Sequence, residues 1–259
     1  MPQLPEKALG ALELQVEELD WEFIGSFMEL IDSREPMEEI KTFLYTYVGE
    51  TRRLHLLEVT YLWNRKEYTA LHYAAEEGYL EVVDHVIQDY HLPVDMLTKS
   101  KKVTPLQCAA VRGHGSVVVY LISQGANVNY QNSAGLSVLH YAISGRSYGI
   151  VATLIDQGAK VDIEGDEDNF NLLHAAVEPN MPDLVELIMV KAREQGTDVL
   201  KRMLSQHTKA HGVTPLEFAQ YVGATHVCPK LLEAGAQLGI TDRMTSTSQH
   251  SLCSFFKNA

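Results

Sequence analysis

The chain has 259 residues, 46% hydrophobic and 21% charged, which supplies a sizeable core and argues against disorder throughout. Its net charge of −13 is gathered at one end, where residues 1–50 hold 12 acidic and 3 basic side chains, so the basic field that nucleic acid or anionic lipid requires is missing. No apolar run approaches the ~20 residues of a membrane span, and three widely spaced cysteines, Cys108, Cys228 and Cys253, suggest neither a disulfide framework nor a thiol metal site.

The opening stretch, "MPQLPEKALGALELQVEELD", lacks the basic start and unbroken apolar segment of a secretory leader, which predicts an intracellular protein, cytoplasmic or nuclear. "LDWEFIGSFMELID" places Phe23, Phe27, Leu30 and Ile31 at helical spacing, and "EPMEEIKTFLYTYV" and "RRLHLLEVTYLW" read as two further helices. Residues 1–66 are therefore expected to form either a helical cap or a small independent helical module. "LPEKAL" hints at an F-box.

From residue 67 the sequence repeats. "TALHYAAEEGYLEVV" from Thr69, "TPLQCAAVRGHGSVV" from Thr104, "SVLHYAISGRSYGIV" from Ser137, "NLLHAAVEPNMPDLV" from Asn171 and "TPLEFAQYVGATHVC" from Thr214 align without gaps, their starts 35, 33, 34 and 43 residues apart. Each opens on a side-chain oxygen able to cap a helix, and Pro105 and Pro215 follow at the first helical position. Alanines such as Ala74, Ala75, Ala109 and Ala110 keep one helix face thin enough for close stacking. Nine residues past the cap stand Gly78, Gly113, Arg146, Asn180 and Gly223, where a left-handed residue would end the helix; only arginine is uncomfortable there. A second helix with paired apolar residues follows, as in Val82-Val83 and Val86-Ile87. "RGHGSVV" at Arg112 is thus a bend between paired helices, since neither the preceding strand nor the Gly-Lys-Ser/Thr of a phosphate loop is present.

The fourth copy is the long one. Its surplus, near residues 190–212, suggests an extended second helix or an extra short one, and insertions of this kind are candidate binding features. "HTKAH" sets His207 and His211 at a chelating spacing if helical, but supplies neither the glutamate of H-E-x-x-H nor a third ligand. "DIEGDEDNF" places Asp162, Glu164, Asp166 and Asp168 like the start of a calcium loop, then fails at Glu167 and Leu173, and reads as a solvated acidic loop. His72, His140 and His174 recur at the fourth position, each set to bond the start of its own helix. No serine elbow, dinucleotide fingerprint or kinase signature occurs. A polar tail, 241–259, closes on "SLCSFF".

The five copies, with "GANVN", "GAKVD" and "GAQLG" closing three of them, resemble the ankyrin repeat. The resemblance covers residues 67–240, with repeats starting near 67, 102, 135, 169 and 212. It implies an all-α solenoid of helix pairs with β-hairpin-like loops, whose loops and first helices form a concave surface that binds other proteins. The function implied is non-enzymatic and cofactor-free: an adaptor, inhibitor or targeting module for one or more proteins, without nucleic acid or membrane insertion. A second reading is a substrate-recognition adaptor of a ubiquitin ligase docking through residues 1–66, and a third is a metalloenzyme carried by His207 and His211. On the ankyrin arrangement the groove takes Arg65, Lys66, Tyr68, Glu76 and Glu77 from the first repeat and Lys101, Lys102, Val103 and Arg112 from the second. Asp166, Glu167, Asp168 and Phe170 come from the fourth, His211 and Tyr221 from the fifth. Asn129 resembles the substrates of the asparaginyl hydroxylase, the alternative being a loop asparagine bonding its own backbone.

Overall fold

The computed structural model describes residue 23 and residues 25–46, 61–63, 66–163 and 168–240, arranged as two compact units, one within Met1–Asn127 and one within Val128–Ala259. The first opens with helix α1 (25–32) and, after Pro36, α2 (Met37–Leu44). Phe23, Phe27, Met28, Ile31, Ile40 and Leu44 are buried, and the Phe23 ring stacks on Phe27 and Phe43 at 5.9 and 5.4 Å. A two-stranded antiparallel hairpin follows, β1 (Tyr61–Trp63) and β2 (Lys66–Tyr68), with Tyr61 opposite Tyr68. This corrects the helix expected over "RRLHLLEVTYLW": its last three residues are a strand, and residues 51–60 lie outside the described chain. Helix pairs α3 (Ala70–Glu77) with α4 (Leu80–Gln88) and α5 (Pro105–Arg112) with α6 (Gly115–Ser123) complete the unit, first helix packing on first and second on second. Val82, Val83 and Val86 are fully buried, as are Val117, Val118 and Leu121, each worth about 2 kcal/mol over exposure.

The second unit contains α7 (Val138–Ser144) and α8 (Tyr148–Asp156), α9 (Leu172–Val177) and α10 (Pro182–Gln195), an added α11 (Thr197–Ser205), then α12 (Pro215–Val222) and α13 (Cys228–Gln237). The insertion therefore does both things expected of it: α10 is extended to 14 residues and α11 is new. It is not a projecting loop. Leu200, Met203 and Leu204 are buried, and the Asn171 amide donates to the Met203 carbonyl at 2.9 Å. The helix-ending residue is left-handed in all five repeats, including Arg146 (φ 55°) and Asn180 (φ 53°). In the fifth repeat Gly235-Ala236 does not end the second helix as the other Gly-Ala pairs do; α13 runs through it and the left-handed residue is Gly239.

Candidate partner-binding surface

The fourth position of each repeat explains how the loops are held. His72 Nδ1 accepts from the Thr69 backbone N–H at 3.4 Å, and His140 and His174 do the same for Ser137 and Asn171 at 3.1 and 3.3 Å. Gln107 and Glu217 take this role with side-chain oxygens, at 3.0 and 2.7 Å, so the position selects an acceptor rather than a histidine. The histidines do more. Nε2 of His72, His140 and His174 lies 2.9, 3.3 and 3.1 Å from the carbonyls of Val103, Phe170 and Val213, each the residue just before the next repeat's cap. A carbonyl only accepts, so Nε2 is the protonated nitrogen and each ring ties its own helix start to the following loop. Burial lowers the His72 pKa to about 4, which keeps the imidazole in this neutral, two-headed form.

The loops themselves repeat a turn. Thr98 N–H donates to the Val103 carbonyl at 3.1 Å and Val103 N–H returns to Thr98 Oγ1 at 2.9 Å; Thr208 and Val213 pair identically at 3.0 and 3.3 Å. Two residues before the cap, Lys102, Gly135, Asn169 and Gly212 are all left-handed, with φ of 52°, 77°, 60° and 62°. The same backbone turn thus carries different residues from repeat to repeat.

In the first unit, Lys101, Lys102 and Arg112 are exposed and Glu77 half-buried, whereas Val103 and Glu76 are buried, at 6% and 4%. Val103 serves through its backbone, not as a groove side chain. Glu76 is paired with the Arg112 guanidinium, Nε and Nη2 lying 2.9 and 2.8 Å from Oε1, and this carboxylate raises the arginine's pKa. The half-buried Tyr68 ring stacks on His72 at 5.6 Å; burial first, then Cys108 and Glu76 beside it, push its hydroxyl far above the usual tyrosine range. Tyr68, Glu76 and Arg112 therefore form one internal cluster linking two repeats. Arg65 and the Lys66 side chain lie outside the described residues, as do Asp166 and Glu167.

In the second unit, Asp168, His211 and Tyr221 are exposed. Phe170 is half-buried, stacked on His174 at 5.2 Å and edge-on to Phe218 at 5.5 Å. Tyr221 and Val222 at the end of α12 are each 43% exposed. His207 and His211 sit on the turn before α12 rather than on a helix, and no group of three metal-capable side chains occurs among the described residues. Asp162 pairs with Arg202 of α11. Asn129 reaches into the following repeat: Oδ1 accepts from Lys160 N–H at 2.8 Å and Nδ2 donates to the Gly158 carbonyl at 3.1 Å. In the first unit the aligned Asp95 makes the same link to Asn127 N–H at 3.0 Å. Sequence reasoning missed both clasps, although the shared offset in "LPVD", "ANVN" and "AKVD" was the available signal.

A family model described as Ankyrin repeats matches in three overlapping copies, over residues 54–132, 71–165 and 106–195. Transient receptor potential cation channel subfamily A member 1 of Homo sapiens is 31% identical over 175 residues, 67% of this chain and 15% of that protein. Ankyrin repeat domain-containing protein 53 of Homo sapiens is 36% identical over 81 residues, 30% of this chain and 15% of that protein. Ankyrin repeat protein nuc-2 of Neurospora crassa is 28% identical over 174 residues, 66% of this chain and 15% of that protein. The chain thus spans about 15% of the length of each of these relatives. No described helix is long and apolar enough to cross a membrane.

Proposed function

Because the chain belongs to the ankyrin-repeat family, whose repeats generally mediate protein–protein interaction, we propose that it is a non-enzymatic module that binds a partner protein through the loops and first helices of its repeats. Its mechanism is stoichiometric recognition, as an adaptor, inhibitor or targeting subunit, without nucleic acid. The observation that carries the reading is the recurrent left-handed turn at Lys102, Gly135, Asn169 and Gly212, which fixes loop tips whose side chains vary. Fixed backbone with variable tips is how a scaffold acquires specificity. Tyr221 supplies an exposed aromatic anchor in the second unit, and the exposed Asp168 and His211 set polarity.

Residues 1–66 act in this reading as the cap of the first repeat. The cap is supported by Tyr73 Oη donating to Asp32 Oδ1 at 2.5 Å, by Tyr79 Oη donating to the Glu35 carbonyl, and by the packing of α2 on α4. Asn129 is the candidate hydroxylation site, and modification requires its clasp on Gly158 and Lys160 to open. Co-expression with the hydroxylase should add an oxygen to the peptide containing Asn129; an unchanged mass sinks that part. The binding reading is tested by affinity capture with wild type, Tyr221→Ala and Asp168→Lys. Loss of one captured protein in both variants, with unchanged circular dichroism, is expected. Retention of every partner moves the surface elsewhere, and co-capture of ligase subunits through residues 1–66 favours the ligase-adaptor role.

A further inference from the structure

The loop between α4 and α5, residues 98–103, carries the sequence Thr-Lys-Ser-Lys-Lys-Val in a chain of net charge −13. Its ends are pinned by the Thr98–Val103 bonds and by His72 on the Val103 carbonyl, while Lys99, Lys101 and Lys102 are exposed. Lys99 and Lys102 make no ion pair with any described residue. Lys102 is the telling one. It sits at φ 52° where the aligned positions of other repeats hold Gly135, Asn169 and Gly212, residues that tolerate that conformation with less strain. Lysine at this backbone carries a strain that glycine would relieve, as arginine does at Arg146. Beside the loop, Leu97 is 41% exposed.

We propose, resting on the partner-binding reading above, that this loop is the specificity element for an acidic segment of the partner: an extended peptide carrying two or three carboxylates and one apolar residue, the carboxylates meeting Lys99, Lys101 and Lys102 and the apolar side chain meeting Leu97. Alternate residues of an extended peptide present their side chains on one face about 7 Å apart, a spacing that three lysines within four residues can follow. A nucleic acid fits less well, because phosphate-driven affinity needs many contacts and the remaining charge of the molecule repels a polyanion.

The test uses the full chain and a fluorescein-labelled peptide with aspartate at three alternate positions, serine between them and one leucine at the next position on the aspartate face, with fluorescence anisotropy read in 50 mM and 300 mM salt. The wild type binds, and the complex weakens at the higher salt. Replacing Lys99, Lys101 and Lys102 together by Gln lowers affinity at least tenfold. Lys102→Gly alone raises the melting midpoint by about 2 °C while weakening peptide binding severalfold, so that stability and binding move in opposite directions. Unchanged affinity in the triple variant overturns the inference, as does Lys102→Gly without any binding loss. Tighter binding of a single-stranded oligonucleotide than of the peptide through the same lysines also overturns it. If the captured partner is lost in Tyr221→Ala but kept in the lysine variants, the binding-module reading stands and only the acidic-segment inference fails.

Discussion

At the scale of single residues, a neutral imidazole suits the fourth repeat position because one nitrogen accepts from the cap while the other donates to the next loop. His72 has a folded pKa of about 4 against an ordinary 6.5, so below pH 6.5 the unfolded chain takes up a proton that the folded chain refuses. The stability its burial permits is present in full above about pH 6.5 and is lost as pH falls toward 4, by about 2 kcal/mol between pH 7 and 5. His72→Gln should abolish that loss at modest cost at pH 7, since Gln107 already caps Thr104 in the same way. Urea unfolding of both proteins at pH 5 and 7 checks this, and an equal loss in the two would contradict it. The clasp at Asn129 is graded similarly. Asn129→Ala removes a donor and an acceptor and should cost about 1–2 kcal/mol. Asn129→Asp should cost less, because Asp95 shows that a carboxylate can accept from the following loop.

At the scale of elements, the helix-ending glycines are not equivalent. A Cβ on Gly78 would stand 2.3 Å from His114 Nδ1, whereas one on Gly113 meets nothing within 4 Å, and both backbones are left-handed. Gly113→Ala should therefore cost about 1 kcal/mol of backbone strain, and Gly78→Ala clearly more, as read from unfolding midpoints. Arg146→Gly should stabilise by a few tenths to about 1 kcal/mol. Leu200→Ala, in a fully buried site on α11, should cost about 2–4 kcal/mol if that helix is part of the packed stack; a surface-like loss below about 0.5 kcal/mol would return it to the status of a docking loop. What the sequence makes legible at this scale is whatever one repeat encodes alone: cap, alanine face, bend and apolar pair all fall at a fixed offset. The extended α10 and added α11 were readable as alternatives from Leu187, Ile188, Leu200 and Met203, but their burial was not. Tyr61–Trp63 was misread as helix because an apolar run of that length fits both periods, and what makes it a strand is its antiparallel pairing with Lys66–Tyr68. The Glu76–Arg112 pair joins residues 36 apart in adjacent repeats, so no local pattern announces that two expected groove residues are occupied with one another.

At the scale of the whole molecule, the repeats within each unit bury their apolar faces on one another, and stability depends on what covers the ends. Deleting residues 1–66 removes Asp32 and Glu35 from Tyr73 and Tyr79 and uncovers α4, so aggregation or a strongly lowered melting midpoint is expected. An unchanged midpoint would make the segment a separate module. The central claim, recognition through fixed loops of variable chemistry, is tested most directly by amide hydrogen exchange of the full chain with and without its captured partner. Binding should slow exchange in peptides covering residues 98–103 and 206–213 and at the end of α12, with little change along α4, α6, α8 and α10. Protection confined to those second helices, with the loops unchanged, would contradict it.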